Sequence, residues 1–78
     1  MILTITIYTV YKKYLTITIP SEALVDDLKS IIQDNIGVNQ ICIYLYYKGN
    51  FLCDGELISN YNITNGSMIL QTERIIKN

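Results

Sequence analysis

Apolar and polar residues alternate in two stretches of the first twenty positions. Leu3-Thr4-Ile5-Thr6-Ile7 has the two-residue period of a half-buried strand, and Leu15-Thr16-Ile17-Thr18-Ile19 repeats it. Tyr8 to Tyr14 lies between them with Lys12-Lys13 at its centre, which predicts an antiparallel hairpin. Leu3, Ile5 and Ile7 then share one face with Leu15, Ile17 and Ile19, and the threonines point outward. Pro20 is expected to stop the second strand, because it has no amide to donate to a ladder. The period changes next. Val25, Leu28, Ile32 and Ile36 are spaced three, four and four apart, with Ile31 widening the stripe. That spacing predicts one apolar face of an amphipathic helix over about residues 24–36. Asp26 and Asp27 fall in its first turn, where the positive end of the helix dipole favours carboxylates. Gly37 follows the last apolar residue, as a left-handed cap requires.

Strand formers return from Ile41 to Tyr47. With Ile43, Leu45 and Tyr47 inward, Cys42, Tyr44 and Tyr46 point outward. Lys48-Gly49-Asn50 reads as a tight turn. Phe51-Leu52-Cys53 reads as a short strand closed by Asp54-Gly55. Leu57 to Ile63 is irregular or one short helical turn. Asn65-Gly66 is a turn, and Met68 to Glu73 is the last strand. The order is β-β-α-β-β-β. One sheet with one helix across it is a two-layer α+β architecture, and residues 1–78 leave room for a single domain.

Composition narrows the function more than the fold. Half of the 78 residues are apolar, which lets a small domain build a dense core. Net charge is −1 and the six basic residues are scattered, against the basic stripe of a nucleic-acid binder. No apolar run approaches the roughly 20 residues of a membrane-spanning helix. The N-terminal residues lack the pattern of a signal peptide, so no membrane role is expected and Cys42 and Cys53 read as free thiols. There is no histidine to act as base for a thiolate. Two cysteines fall short of the four ligands of a structural zinc site. Asp26-Asp27, the only close carboxylate pair, already has an explanation in the helix dipole. The expectation is therefore no enzyme activity, no cofactor and no metal.

The residues also carry a resemblance. Ile5, Ile7, Leu15, Ile17, Ile19, Val25, Leu28, Ile32, Leu45, Leu52, Ile58, Ile63 and Ile69 fall, without a gap, where ubiquitin has core residues. Gln33-Asp34 repeats a pair of its helix. Leu52, Asp54-Gly55, Ser59, Tyr61-Asn62-Ile63 and Ser67 match in identity and spacing. The chain thus resembles the ubiquitin-like proteins. The resemblance implies a β-grasp fold: a mixed five-stranded sheet, ββαββ plus a short strand, with one helix packed across it. It also implies that Tyr61 anchors its own loop through its hydroxyl. Tyr47, Gly49, Phe51, Tyr61-Asn62 and Asn65-Gly66 are similar as well to the ubiquitin-like domain of a spliceosomal subunit, without that domain's basic Gly-rich tail.

The departures from the family pattern shape the functional expectation. Lys77 and Asn78 stand where ubiquitin carries its Gly-Gly pair, and Ile76 replaces a basic residue, although Arg74 is kept. A bulky pair should not thread the narrow tunnels of activating enzymes, so a non-conjugated interaction domain is expected, part of a larger protein or a ubiquitin mimic. A covalent modifier is the alternative if the gene extends to a Gly-Gly tail, and a spliceosome-associated module is another. Of ubiquitin's chain-building lysines, only Lys13 and Lys29 have counterparts. Ubiquitin's receptor-binding patch corresponds to Val10, Tyr46, Leu70 and Thr72, with Tyr44 in place of an arginine at its edge. These five are the candidate partner-binding residues, and proteasome-type or ubiquitin receptors are the partners implied. The implied setting is the eukaryotic cytoplasm, nucleus or both. Two positions strain the match: Lys12 replaces a hairpin glycine that favours positive φ, and Gln71 replaces a core leucine and needs hydrogen-bond partners if buried.

Overall fold

A computed structural model describes residues 1–74. The strands are β1 (Ile2–Tyr8), β2 (Tyr14–Pro20), β3 (Ile43–Tyr47), β4 (Asn50–Phe51) and β5 (Met68–Glu73), and the helix is α1 (Val25–Ile36). They form a five-stranded sheet in the order β2-β1-β5-β3-β4. β1 runs parallel to β5 and antiparallel to β2, so the sheet is mixed. This is the expected α+β architecture, with α1 supplying Val25, Leu28 and Ile32 to a core shared with the inner faces of β1, β2, β3 and β5 and with Leu52, Ile58 and Ile63.

The alternation predicted for the hairpin is seen. Leu3, Ile5, Ile7, Ile17 and Ile19 are buried, while Leu15 is half-buried and packs against the core. Pro20 differs from expectation in a small way. It is the last residue of β2, paired with Ile2, on an edge strand where a missing amide costs no ladder bond. The hairpin loop is closed on Thr9. Its amide donates to the Lys13 carbonyl at 2.8 Å, its carbonyl accepts from Lys12, and its hydroxyl accepts from the Lys13 amide. Closing the loop this way holds Lys12 at φ 61°, the conformation for which glycine would be the unstrained choice.

Helix α1 ends on Gly37 at φ 75°, whose amide bonds the Gln33 carbonyl. At its start the acidic pair does more than face the dipole. The Asp27 carboxylate accepts the Leu24 amide at 3.0 Å, and Asp26 accepts the Gly55 amide at 2.9 Å. Lys29 belongs to the buried face although it is charged. Its ammonium lies 2.7 Å from the Asp54 carboxylate, so of the two retained lysines only Lys13 faces solvent.

The second half of the sheet is shorter than its strand-forming run suggested. Gln40–Cys42 is a 3-10 helix, and β3 begins only at Ile43. β4 is Asn50–Phe51, and Leu52 turns into the core while its amide still bonds the Leu45 carbonyl. Lys48 and Gly49, both at positive φ, form the two-residue turn that matches strand twist in hairpins. Ile58–Tyr61 is a short helical turn, one of the two forms the sequence allowed for Leu57 to Ile63, and it is again 3-10. The Tyr61 hydroxyl accepts the Cys53 amide at 2.8 Å, the anchoring role that the resemblance implied.

Removing Asp54 leaves a buried ammonium without its partner, whereas removing Lys29 leaves a carboxylate in water. Asp54→Ala is therefore expected to lower stability by about 1.5–3 kcal/mol. Lys29→Met should cost clearly less, because an apolar chain of similar length can fill the site. Urea denaturation of the two variants checks this order.

Candidate functional site

The outer face of the sheet is built by the residues that alternate with the core. From β1 and β2 these are Ile2, Thr4, Thr6, Tyr8, Tyr14, Thr16, Thr18 and Pro20. From β3, β4 and β5 they are Tyr44, Tyr46, Phe51, Met68, Leu70 and Thr72. None of them carries a charge at neutral pH.

Register brings the larger members into line. Tyr14 pairs with Tyr8, Tyr8 with Leu70, Leu70 with Tyr46, and Tyr46 with Phe51. One cross-strand row of apolar side chains thus crosses all five strands. Leu70 at its centre is 49% exposed and Phe51 at one end is 42% exposed. Aromatic contacts hold both ends. The Tyr8 and Tyr14 rings are 4.8 Å apart at 45°, and Phe51 meets Tyr44 and Tyr46 edge-on with centroids 5.5 Å away in each case. Such pairs restrict ring motion and present rigid area to a partner at low entropic cost.

The structure places the five sequence-predicted residues as follows. Tyr44 and Thr72 are cross-strand partners, as are Tyr46 and Leu70, so four of the five form one block on β3 and β5. Val10 stands apart, exposed on the β1–β2 loop, and joins the sheet through its amide, which donates to Gln71 Oε1 at 3.2 Å. Sequence reading missed Phe51, Tyr8 and Tyr14 as members of the face. A signal existed for Phe51: a two-residue turn at Lys48-Gly49 fixes it opposite Tyr46. Lys77, Asn78 and Ile76, which bear on conjugation, lie outside the described residues.

Around the face, charge is sparse. Lys48 lies over the Tyr47 ring, 5.3 Å from its centroid, and the Tyr47 hydroxyl accepts from Ser67 on the helix side of the sheet. The Tyr11 hydroxyl donates to the Glu73 carboxylate. That bond, with some burial and the carboxylate's charge, raises the Tyr11 phenol above its ordinary range. An open depression under the loop, lined by Thr9, Tyr11, Lys13, Leu15, Asn35 and Ile36, faces the helix and not this surface. Among the described residues no cluster of His, Cys, Asp or Glu could hold a metal, and no helix is long and apolar enough to cross a membrane. Cys42 is half-buried and Cys53 exposed, both as free thiols.

Comparison with known proteins identifies the family and does not test the surface. The model of the ubiquitin family matches residues 5–74, a span that contains the helix, four complete strands and every candidate residue of the face. No curated protein matches the chain.

Two outcomes follow from the geometry. Phe51→Ala removes the ring that two tyrosines meet edge-on. It should cost about 0.5–1.5 kcal/mol for each aromatic pair lost, and shift the Tyr44 and Tyr46 ring protons in an NMR spectrum. Tyr11 has a raised phenol in the folded state, so its bond to Glu73 is fully present below the ordinary tyrosine value of about 10 and is lost as pH rises through the raised value. A ring-carbon NMR titration should show Tyr11 ionising above that value, and Glu73→Ala should bring it back down.

Proposed function

The chain belongs to the ubiquitin family, and on that premise we propose that it is a non-conjugated ubiquitin-like interaction domain. Its fold is the ubiquitin-like β-grasp. The binding surface in this reading is the outer sheet face, with Tyr44, Tyr46, Leu70 and Thr72 at its centre, Phe51 beside them and Val10 at the rim. The partners are ubiquitin-pathway or proteasome-type receptors, met in the cytoplasm or nucleus. The single observation that supports this is the uncharged row Tyr14-Tyr8-Leu70-Tyr46-Phe51, exposed at Tyr14, Leu70 and Phe51 and half-buried at Tyr8 and Tyr46, on a sheet whose other face packs most of its side chains into the core.

The physical reasoning is direct. A contiguous apolar patch is costly to leave in water, and soluble monomers seldom carry a large one without a use. Tyrosine-rich patches supply large contact area with a polar tip, the composition found at interface hot spots. No catalytic role is assigned to any residue. Lys77 and Asn78 stand at the positions of ubiquitin's glycine pair, so in this reading those two positions do not themselves supply a conjugation site.

Titration of labelled protein with a ubiquitin-interacting amphipathic helix is expected to shift the amides of Tyr44, Tyr46, Leu70 and Thr72. Tyr46→Ala or Leu70→Ala should weaken binding about thirtyfold, the level of a hot-spot residue at about 2 kcal/mol. Shifts confined to the helix side of the sheet would sink the proposal. Incubation of residues 1–78 with a ubiquitin-activating enzyme and ATP should give no thioester.

A further inference from the structure

Val10 belongs to the proposed surface but not to the sheet, and something must hold its loop in place. The three bonds on Thr9 fix the loop's internal shape. They do not fix where it lies relative to β5. Two other side-chain bonds do. Gln71 is 1% exposed on the inner face of β5, opposite Leu45. Its Oε1 accepts the Val10 amide at 3.2 Å and its Nε2 donates to the Thr72 carbonyl at 3.0 Å. One residue along the loop, Tyr11 donates to Glu73, two residues along β5. Both bonds join segments more than sixty residues apart in sequence.

A glutamine opposite Leu45 and two residues along the strand from Ile69, on a buried face, is an expensive way to fill a core. An apolar side chain would do it without desolvating an amide. The amide has its partners here, with no buried side-chain nitrogen or oxygen left unpaired among the described residues. One of those partners is the loop itself, which an apolar side chain could not bind.

We propose that Gln71, together with the Tyr11–Glu73 bond, is a latch that fastens the β1–β2 loop to β5 and so presets Val10 for partner binding. Gln71 is then a positioning residue: it need touch no partner, and it acts by keeping the loop in its binding-competent arrangement. Apparent affinity scales with the fraction of molecules that are competent, so a latch raises affinity without adding a contact. This role rests on the reading of the sheet face as the binding surface. The latch itself does not.

The test separates the two. Gln71→Leu removes one bond and keeps the core filled, and Tyr11→Phe removes the other at an exposed position. Nitrogen-15 relaxation of the unbound proteins reads the loop directly. Amides 9–13 should fall from rigid order parameters of about 0.85 towards about 0.6 in the double variant, with strand amides unchanged. Unchanged loop order in both single variants and the double variant overturns the latch. Affinity for the same ubiquitin-interacting helix should fall about three- to tenfold in the double variant, as expected if the competent fraction drops by that factor. Loop disorder with unaltered affinity overturns the positioning role. If the unaltered protein binds no such helix, the surface reading fails and the positioning role with it, while the relaxation data still decide the latch.

Discussion

The structure depends on the parallel pairing of β1 with β5. The strand formed last in sequence lies in the middle of the sheet, with β1 on one side and β3 on the other. Without it the β1–β2 hairpin and the β3–β4 hairpin share no ladder. On the inner face this pairing sets Ile7 against Ile69, and both are fully buried. On the outer face it sets Tyr8 against Leu70, the link that makes two aromatic clusters into one row. A shift of one residue would send Ile69 outward and Leu70 into the core, because side chains alternate with a strict period of two. The core and the candidate surface are therefore two consequences of one register.

That dependence explains which features were legible in the sequence. Strand and helix periods are local, so the β1–β2 hairpin, the helix with its Gly37 cap and the last strand could be read directly. So could the family, since core positions and the Tyr61 loop carry its pattern. Long-range pairing is not local. The burial of Lys29 is decided by Asp54, which stands beyond the second hairpin, and a lysine beside Leu28 gave no hint of it. The partners of Gln71 were open for the same reason, because its acceptor meets a loop more than sixty residues away.

The extent of the candidate site was understated for a different cause. Val10, Tyr44, Tyr46, Leu70 and Thr72 came from matching positions, and matching can only return positions that a relative already uses. Phe51, Tyr8 and Tyr14 came from register. In the run Ile41 to Tyr47 the strand formers begin two residues before the true strand, because Ile41 and Cys42 suit a 3-10 turn poorly but tolerate it once Asn39 accepts the Ile41 amide. A cap of that kind overrides propensity, which is a weak preference beside a hydrogen bond and packing.

The absence of charge on the outer face ties the surface to the loop that borders it. Charged interfaces can recover association rate through long-range steering, which raises encounter far above the neutral level. A face whose strand residues carry no charge has no charged group of its own to steer with. If it is the proposed binding surface, its binding free energy must come from burial of area that is already arranged, after ordering costs are subtracted. Rings held edge-on by neighbouring rings and a loop fastened to the central strand both lower those ordering costs before any partner arrives. In the proposed reading, the residues that would touch a partner and those that would hold them still are joined through β5, which carries Leu70 on one face and Gln71 on the other.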